Sequence, residues 1–248
     1  MGWFSDLFGK GSGQEGPTVD RAVARLQKKL MNKYVNTVER KRVIQLLGNI
    51  GSQEAVTALL GRFTYVTDGS IVDEDEKTLV YEMVRGMGED ALPALTAFIR
   101  TEAAVYWPLR ALTEIAGEEK AVDVVLETLD GIRDRFSQSM ERMNSLVSSL
   151  RDYPQPRVMK RLIDLAQDET EEIRFLAVDG LSMFDKEQEA VDAIVQRLLV
   201  DDETTRVKTY VMDMLLERKW KVKRFKKELA GKIPESYFVD DTGVVQRK

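Results

Sequence analysis

The chain has 248 residues, 43% of them hydrophobic and 32% charged, with 42 acidic against 37 basic side chains and a formal net charge of −5, enough apolar material for a sizeable core. It contains neither cysteine nor histidine, which excludes disulfides, thiolate metal sites, cysteine nucleophiles, the Ser-His-Asp triad and imidazole-based zinc sites. Any catalysis would fall to carboxylate, lysine, tyrosine or serine groups.

The first residues, MGWFSDLFGK, lack the basic n-region and long apolar run of a signal peptide, and no later stretch reaches the length of a membrane span. The expected location is cytoplasmic. Trp3, Phe4, Leu7 and Phe8 fall on one side of a helical turn, a pattern suited to docking on a protein partner, to capping the first repeat or to a membrane surface. Asp6 breaks the N-myristoylation pattern. Residues 9–17, GKGSGQEGP, read as a flexible linker. Its Gly11, Gly13 and Gly16 spell G-x-G-x-x-G, but a dinucleotide site needs a strand before it and a βαβ unit around it, so no cofactor is expected.

From residue 18 the chain repeats. An Ala followed by Val or Leu opens a helical pattern at Ala22, Ala55, Ala91, Ala121 and Ala190, with Arg157-Val158 holding the place of a sixth copy. Apolar residues follow three or four positions on, as in AVTALLGRF and AVDAIVQRLL, which predicts helices with one buried face, here termed A helices. Between them lie B helices: RVIQLLGNIG, LVYEMVRGMG, PLRALTEIAG, SLVSSLRDYP, LAVDGLSMFD and YVMDMLLERK. Gly51, Gly88 and Gly117 are placed to close helices in the left-handed conformation, and Pro154 cannot continue one. The fourth B helix, SQSMERMNSLVSSLRDY, is serine-rich and lacks the glycine close, leaving room for a kink. A unit of about 34 residues with two helices cannot bury its core alone, so the copies are expected to stack.

The LLGNIG and ALTEIAG closes, each followed by an A-helix pair as in SQEAVTALL and EEKAVDVVL, resemble those of HEAT-repeat proteins of the short bacterial kind over roughly residues 18–232. The resemblance implies an all-α fold, an α-α superhelix of six helical hairpins, whose members bind proteins, nucleic acids or pigments and in a few cases are enzymes. The alkylpurine DNA glycosylases of this architecture rest on a basic concave surface with tryptophans and an aspartate. Here the nearest feature is Tyr106-Trp107-Pro108-Leu109-Arg110, with Glu114 in place of the aspartate. The last 30 residues hold nine of the 37 basic and four of the 42 acidic side chains. The preceding chain is therefore net acidic, which disfavours nucleic acid.

Asp73, Glu74, Asp75 and Glu76 stand before the second B helix, and Asp201, Asp202 and Glu203 before the sixth. Both runs are read as negative charge at the positive end of a helix dipole, and neither has the spacing of a metal loop. Tyr106 with Trp107, Phe175 with Leu176, and Thr209 with Tyr210 occupy equivalent places in their repeats, so an exposed aromatic ridge there would suit a protein partner, Arg110 included. Packing between repeats is the competing expectation. The carboxylates a catalyst would use are Glu82, Glu114, Asp179 and Asp213. Each has arginines at helical distance, and none is expected to act as a poised acid.

Residues 219–232, KWKVKRFKKELAGK, predict a basic amphipathic capping helix with Trp220, Phe225 and Leu229 on its apolar face. Lys221, Lys223, Arg224 and Lys227 face outward as candidates for an anionic partner. The tail at 233–248 carries β-favouring runs at 237–239 and 244–246 around Asp-Asp-Thr-Gly, a possible hairpin. The reading is thus a non-enzymatic scaffold that binds a protein partner, without metal or cofactor and with its oligomeric state open; the alternative is a HEAT-like protein that binds nucleic acid or modifies its bases.

Overall fold

A computed structural model describes residues 17–132 and 136–248. Trp3, Phe4, Leu7 and Phe8, and the glycine-rich linker up to residue 16, lie outside the described residues. Among the described residues the fold is all-α apart from one two-stranded sheet. No described helix is long and apolar enough to cross a membrane. The chain divides into two compact units at Ala121 and Val122.

The first unit contains α1 (Pro17–Leu30), α2 (Thr37–Ile50), α3 (Gln53–Leu60), α4 (Ser70–Gly86), α5 (Leu92–Thr101) and α6 (Tyr106–Ala116). The next helix, α7 (Glu118–Gly131), crosses the division. The A-pattern segments became α1, α3 and α5, which pack in series, and the B-pattern segments became α2, α4 and α6, which do the same. Helices of the two series meet at α1 with α2, α2 with α3, and α5 with α6. Local chemistry sets the breaks. Gly51 ends α2 at φ 66°, a left-handed turn, and Ser52 then accepts from the Ala55 amide to start α3. Ile44, Leu47, Val56, Leu59, Leu60, Val80, Val84 and Leu95 are fully buried between the two series.

The second unit contains α8 (Ser137–Ser149), α9 (Pro156–Leu165), α10 (Glu171–Leu181), α11 (Gln188–Leu199), α12 (Thr205–Arg218) and the one-turn α13 (Lys226–Leu229). Here α8, α10 and α12 pack in series, and α9 packs on α11. The serine-rich α8 ends without glycine in a 3-10 turn, Leu150–Asp152, before Pro154. Strands β1 (Tyr237–Val239) and β2 (Val245–Arg247) pair antiparallel with Val239 opposite Val245. The hairpin expected in the tail is formed, with its second strand one residue later than read.

The basic capping helix over 219–232 is not formed. Lys219 adopts a left-handed conformation (φ 54°) and ends α12. The chain then runs non-helically to a 3-10 turn, Lys223–Phe225, and to α13. A long-range bond decides this: the Val222 amide donates to the Gly243 carbonyl at 2.8 Å, tying the segment to the hairpin turn. Val222 and Leu229 are the buried residues, whereas Trp220 and Phe225 are half-buried against the guanidinium groups of Arg218 and Arg224. The periodic apolar face expected for Trp220, Phe225 and Leu229 is therefore replaced by two separate anchors.

Candidate interaction site

In the first unit the site is built by α4 and α6 around Trp107. Tyr106 opens α6 with its side chain exposed (62%), and Trp107 follows it half-buried. The Trp107 ring stacks on buried Phe63 at 6.3 Å and 12°, meets Tyr81 at 5.3 Å, and takes the Tyr106 ring edge-on at 5.4 Å and 77°. Arg110, one turn along α6, spreads its guanidinium 4.9 Å from the Tyr81 ring and 5.7 Å from the Trp107 ring. Cations prefer such ring faces, so the arginine holds the aromatic platform together while remaining exposed itself.

Below the platform the Tyr81 hydroxyl donates to Glu114, which also receives Arg85 at 3.3 Å and Arg110 at 3.8 Å. Burial and this carboxylate together push the Tyr81 hydroxyl up. The hydrogen bond from Tyr81, aided by Arg85, outweighs the opposing effect of burial and holds Glu114 below the ordinary glutamate range. Glu82 pairs with Arg85 on the same helix. The result is a neutralised, internally bonded network with one aromatic ring projecting from it.

In the second unit Phe175 of α10 and Tyr210 of α12 meet at 4.5 Å, and the Arg206 guanidinium lies 4.2 Å from the Phe175 ring. Both aromatics are half-buried, as are Leu176 and Thr209. The Tyr210 hydroxyl donates to Asp179, which Arg151 also reaches at 2.8 Å; burial and the carboxylate push the Tyr210 hydroxyl far above its ordinary value. Asp213 accepts from the Tyr237 hydroxyl at 2.7 Å and from Arg247 at 3.1 Å, which seats the hairpin on α12. Arg206 pairs with Glu171 and Glu172 and not with Asp179 or Asp213. All four carboxylates singled out from the sequence thus have arginine partners, and three of them also accept from a tyrosine.

The anionic-partner candidates are dispersed. Arg224 is engaged by Asp192, while Lys221, Lys223 and Lys227 are exposed on separate short elements. Neighbouring lysines are paired at the surface: Lys226 with Asp241 at 2.8 Å and Lys232 with Asp201 at 2.8 Å. Between α13 and the hairpin a cavity of about 350 Å³ is lined mostly by apolar groups, among them Leu229, Ile233, Tyr237 and Phe238. Among the described residues no group of three or more acidic side chains is arranged to hold a metal ion.

The acidic runs do more than complement helix dipoles, although Asp73 does lie in the first turn of α4. Glu76 lies in the second turn of α4, fully buried, and receives Arg40 from α2 at 3.0 Å and Arg62, from the 3-10 turn Gly61–Thr64 that follows α3, at 2.9 Å. Arg62 also reaches Asp73 at 2.8 Å, and Lys77 reaches the same carboxylate at 2.6 Å. Burial raises the Asp73 carboxyl, but the bonds from Lys77, Arg62 and the Thr67 amide outweigh it and hold the group well below the usual range. Glu203 repeats the device in the second unit between Arg174 of α10, at 2.7 Å, and Arg197 of α11. Burial opposes those two bonds, which bring Glu203 down to about 2. The legible signal was an arginine inside an apolar run seven residues after the A-helix alanine, Arg62 after Ala55 and Arg197 after Ala190. A charge on a buried stripe needs a partner. Set beside known proteins, the chain is matched by no family model and by no curated protein.

Proposed function

We propose that the protein is a non-enzymatic cytoplasmic scaffold or adaptor, a HEAT-like superhelix of six helical hairpins that presents its B helices to a protein partner. The observation that carries this reading is the exposed Tyr106 ring standing on the Trp107, Tyr81 and Arg110 platform. Tyrosine, tryptophan and arginine dominate the energetics of protein interfaces, and a ring held in place by its neighbours loses little entropy on binding. The regular spacing of the A and B patterns, with like helices packing in series inside each unit, supports the repeat architecture. The absence of histidine and cysteine, together with the arginine pairing of Glu82, Glu114, Asp179 and Asp213, supports a binding role over a catalytic one.

The test is affinity capture from the native host with the full chain and with a Tyr106→Ala/Arg110→Ala variant. A specific protein retained by the parent and lost from the variant, with thermal melting unchanged, supports the reading. Equal capture by both overturns it, and salt-sensitive retention of DNA through Lys221, Lys223 and Lys227 would favour the nucleic-acid alternative.

A further inference from the structure

Five of the large hydrophobic side chains left exposed belong to one edge of the first unit: Met31 (42%), Tyr34 (87%), Val38 (81%), Val66 (72%) and Ile71 (78%). They sit on the two successive connections from A to B helices, 31–36 and 65–69, and on the helix starts that follow. Val38 and Ile71 are each the second residue of their helix. The connections are neighbours: the Tyr65 hydroxyl donates to the Leu30 carbonyl, Met31 lies over Gly61, and Lys41 of α2 reaches Asp75 of α4. They are also rigid. Arg40 donates to the Lys33 and Val35 carbonyls, and Arg62 to the Tyr65 carbonyl, while both arginines hold buried Glu76. An apolar edge held by buried ion pairs is preorganised for an apolar occupant.

We propose that the occupant is the chain's own segment 3–8, WFSDLF, docked in cis. The reach suffices. From Met31 back to the start of α1 at Pro17 is roughly 20 Å at 1.5 Å per helical residue, and the eight residues 9–16 extend to roughly 26–29 Å. The chain can therefore double back along α1 and bring Phe8 to the edge. The chemistry matches as well. Trp3, Phe4, Leu7 and Phe8 meet the exposed apolar groups, and Asp6 meets the Lys33 ammonium, which lies 5.6 Å from the Tyr34 ring centre. A membrane is the poorer occupant, because the basic groups Lys29 and Lys41 are spent on Glu39 and Asp75. Docking in cis would hold the aromatic segment on the protein's own edge until a competitor takes its place.

The experiment places a benzophenone-bearing residue at position 4 of the full chain, with irradiation at micromolar concentration and peptide mapping of a mixture of heavy- and light-isotope protein. The expected result is cross-linking to 31–38 and 66–71 within one chain. A Tyr34→Ser/Val38→Ser/Ile71→Ser variant should give a yield about tenfold lower, with circular dichroism unchanged because these side chains are exposed. Cross-links elsewhere, or none, overturn the proposal. Mixed-isotope pairs overturn it in favour of a second copy. A probe that transfers to phosphatidylcholine when vesicles are added overturns it in favour of a membrane. An unchanged yield in the triple variant overturns it also.

Discussion

Arg40 donates through Nε to both oxygens of Glu76 at 3.0 Å, and neither residue keeps more than 4% of its surface exposed. Arg62 holds the same carboxylate from the other side. Removing one partner of a buried set strands the others, whereas replacing the whole set with apolar groups does not. Glu76→Ala should therefore cost about 3–5 kcal/mol in urea denaturation. The triple change Arg40→Met/Arg62→Leu/Glu76→Leu should cost much less, since Asp73 keeps Lys77. Equal losses would show that the ions act through shape and not charge.

Acid should find these clusters first. Asp73 and Glu203 both have folded pKa values below their unfolded ones, Glu203 down to about 2. Between the two values the unfolded chain binds more protons, so this stability is full above about pH 4.5 and is lost as pH falls toward 2. For Glu203 the difference corresponds to on the order of 3 kcal/mol. Urea midpoints for the parent should drop between pH 6 and pH 3 more steeply than those of Glu203→Gln; parallel curves would contradict the assignment.

In the tail, burial and not ring size decides which residue matters. Leu229→Ala should destabilise by about 2–5 kcal/mol. Trp220→Ala should cost less, because its ring is half-exposed beside Arg218. Reversal of that order in thermal melting would restore the continuous capping helix.

Gly243 has φ +88°, and a Cβ there would stand 2.5 Å from the Lys223 Cβ. Gly243→Ala should cost more than about 1 kcal/mol. It should also expose the Val222 amide to hydrogen exchange, since that amide bonds to the Gly243 carbonyl. Continued protection at Val222 would count against the contact.

A carboxyl-carbon NMR titration should place Glu114 below an unfolded glutamate, because the Tyr81 hydroxyl and Arg85 stabilise its anion. Finding Glu114 protonated at neutral pH would overturn the non-enzymatic reading.

The helices were legible because their signals are local. Alanine pairs and apolar stripes marked the A and B segments, and Gly51 marked a left-handed close that the backbone adopts. The ion clusters were legible only from their arginines, Arg62 and Arg197 inside apolar runs; their remaining partners were not, because Glu76 finds Arg40 across 36 residues and Glu203 finds Arg174 across 29. Locally, each glutamate looks like ordinary charge near a helix start. The segment 219–232 misled for the same reason. Its charge pattern favours a helix, but the bond from Val222 to Gly243 and the left-handed Lys219 are set by chain that comes later or by the turn itself. Of the candidate site, Tyr106, Trp107 and Arg110 were named by type, yet the partners that orient them, Phe63 and Tyr81, come from elsewhere in the chain.

The grip of Arg40 on two loop carbonyls makes the connection between α1 and α2 a measured length of chain. One extra residue between Asn32 and Asn36 would carry the Lys33 or Val35 carbonyl out of register with a guanidinium that cannot follow it without leaving Glu76. Insertional mutagenesis should consequently find this short surface loop sensitive, despite its exposure, with epitope tags placed there lowering the melting temperature while Arg40 and Glu76 are present.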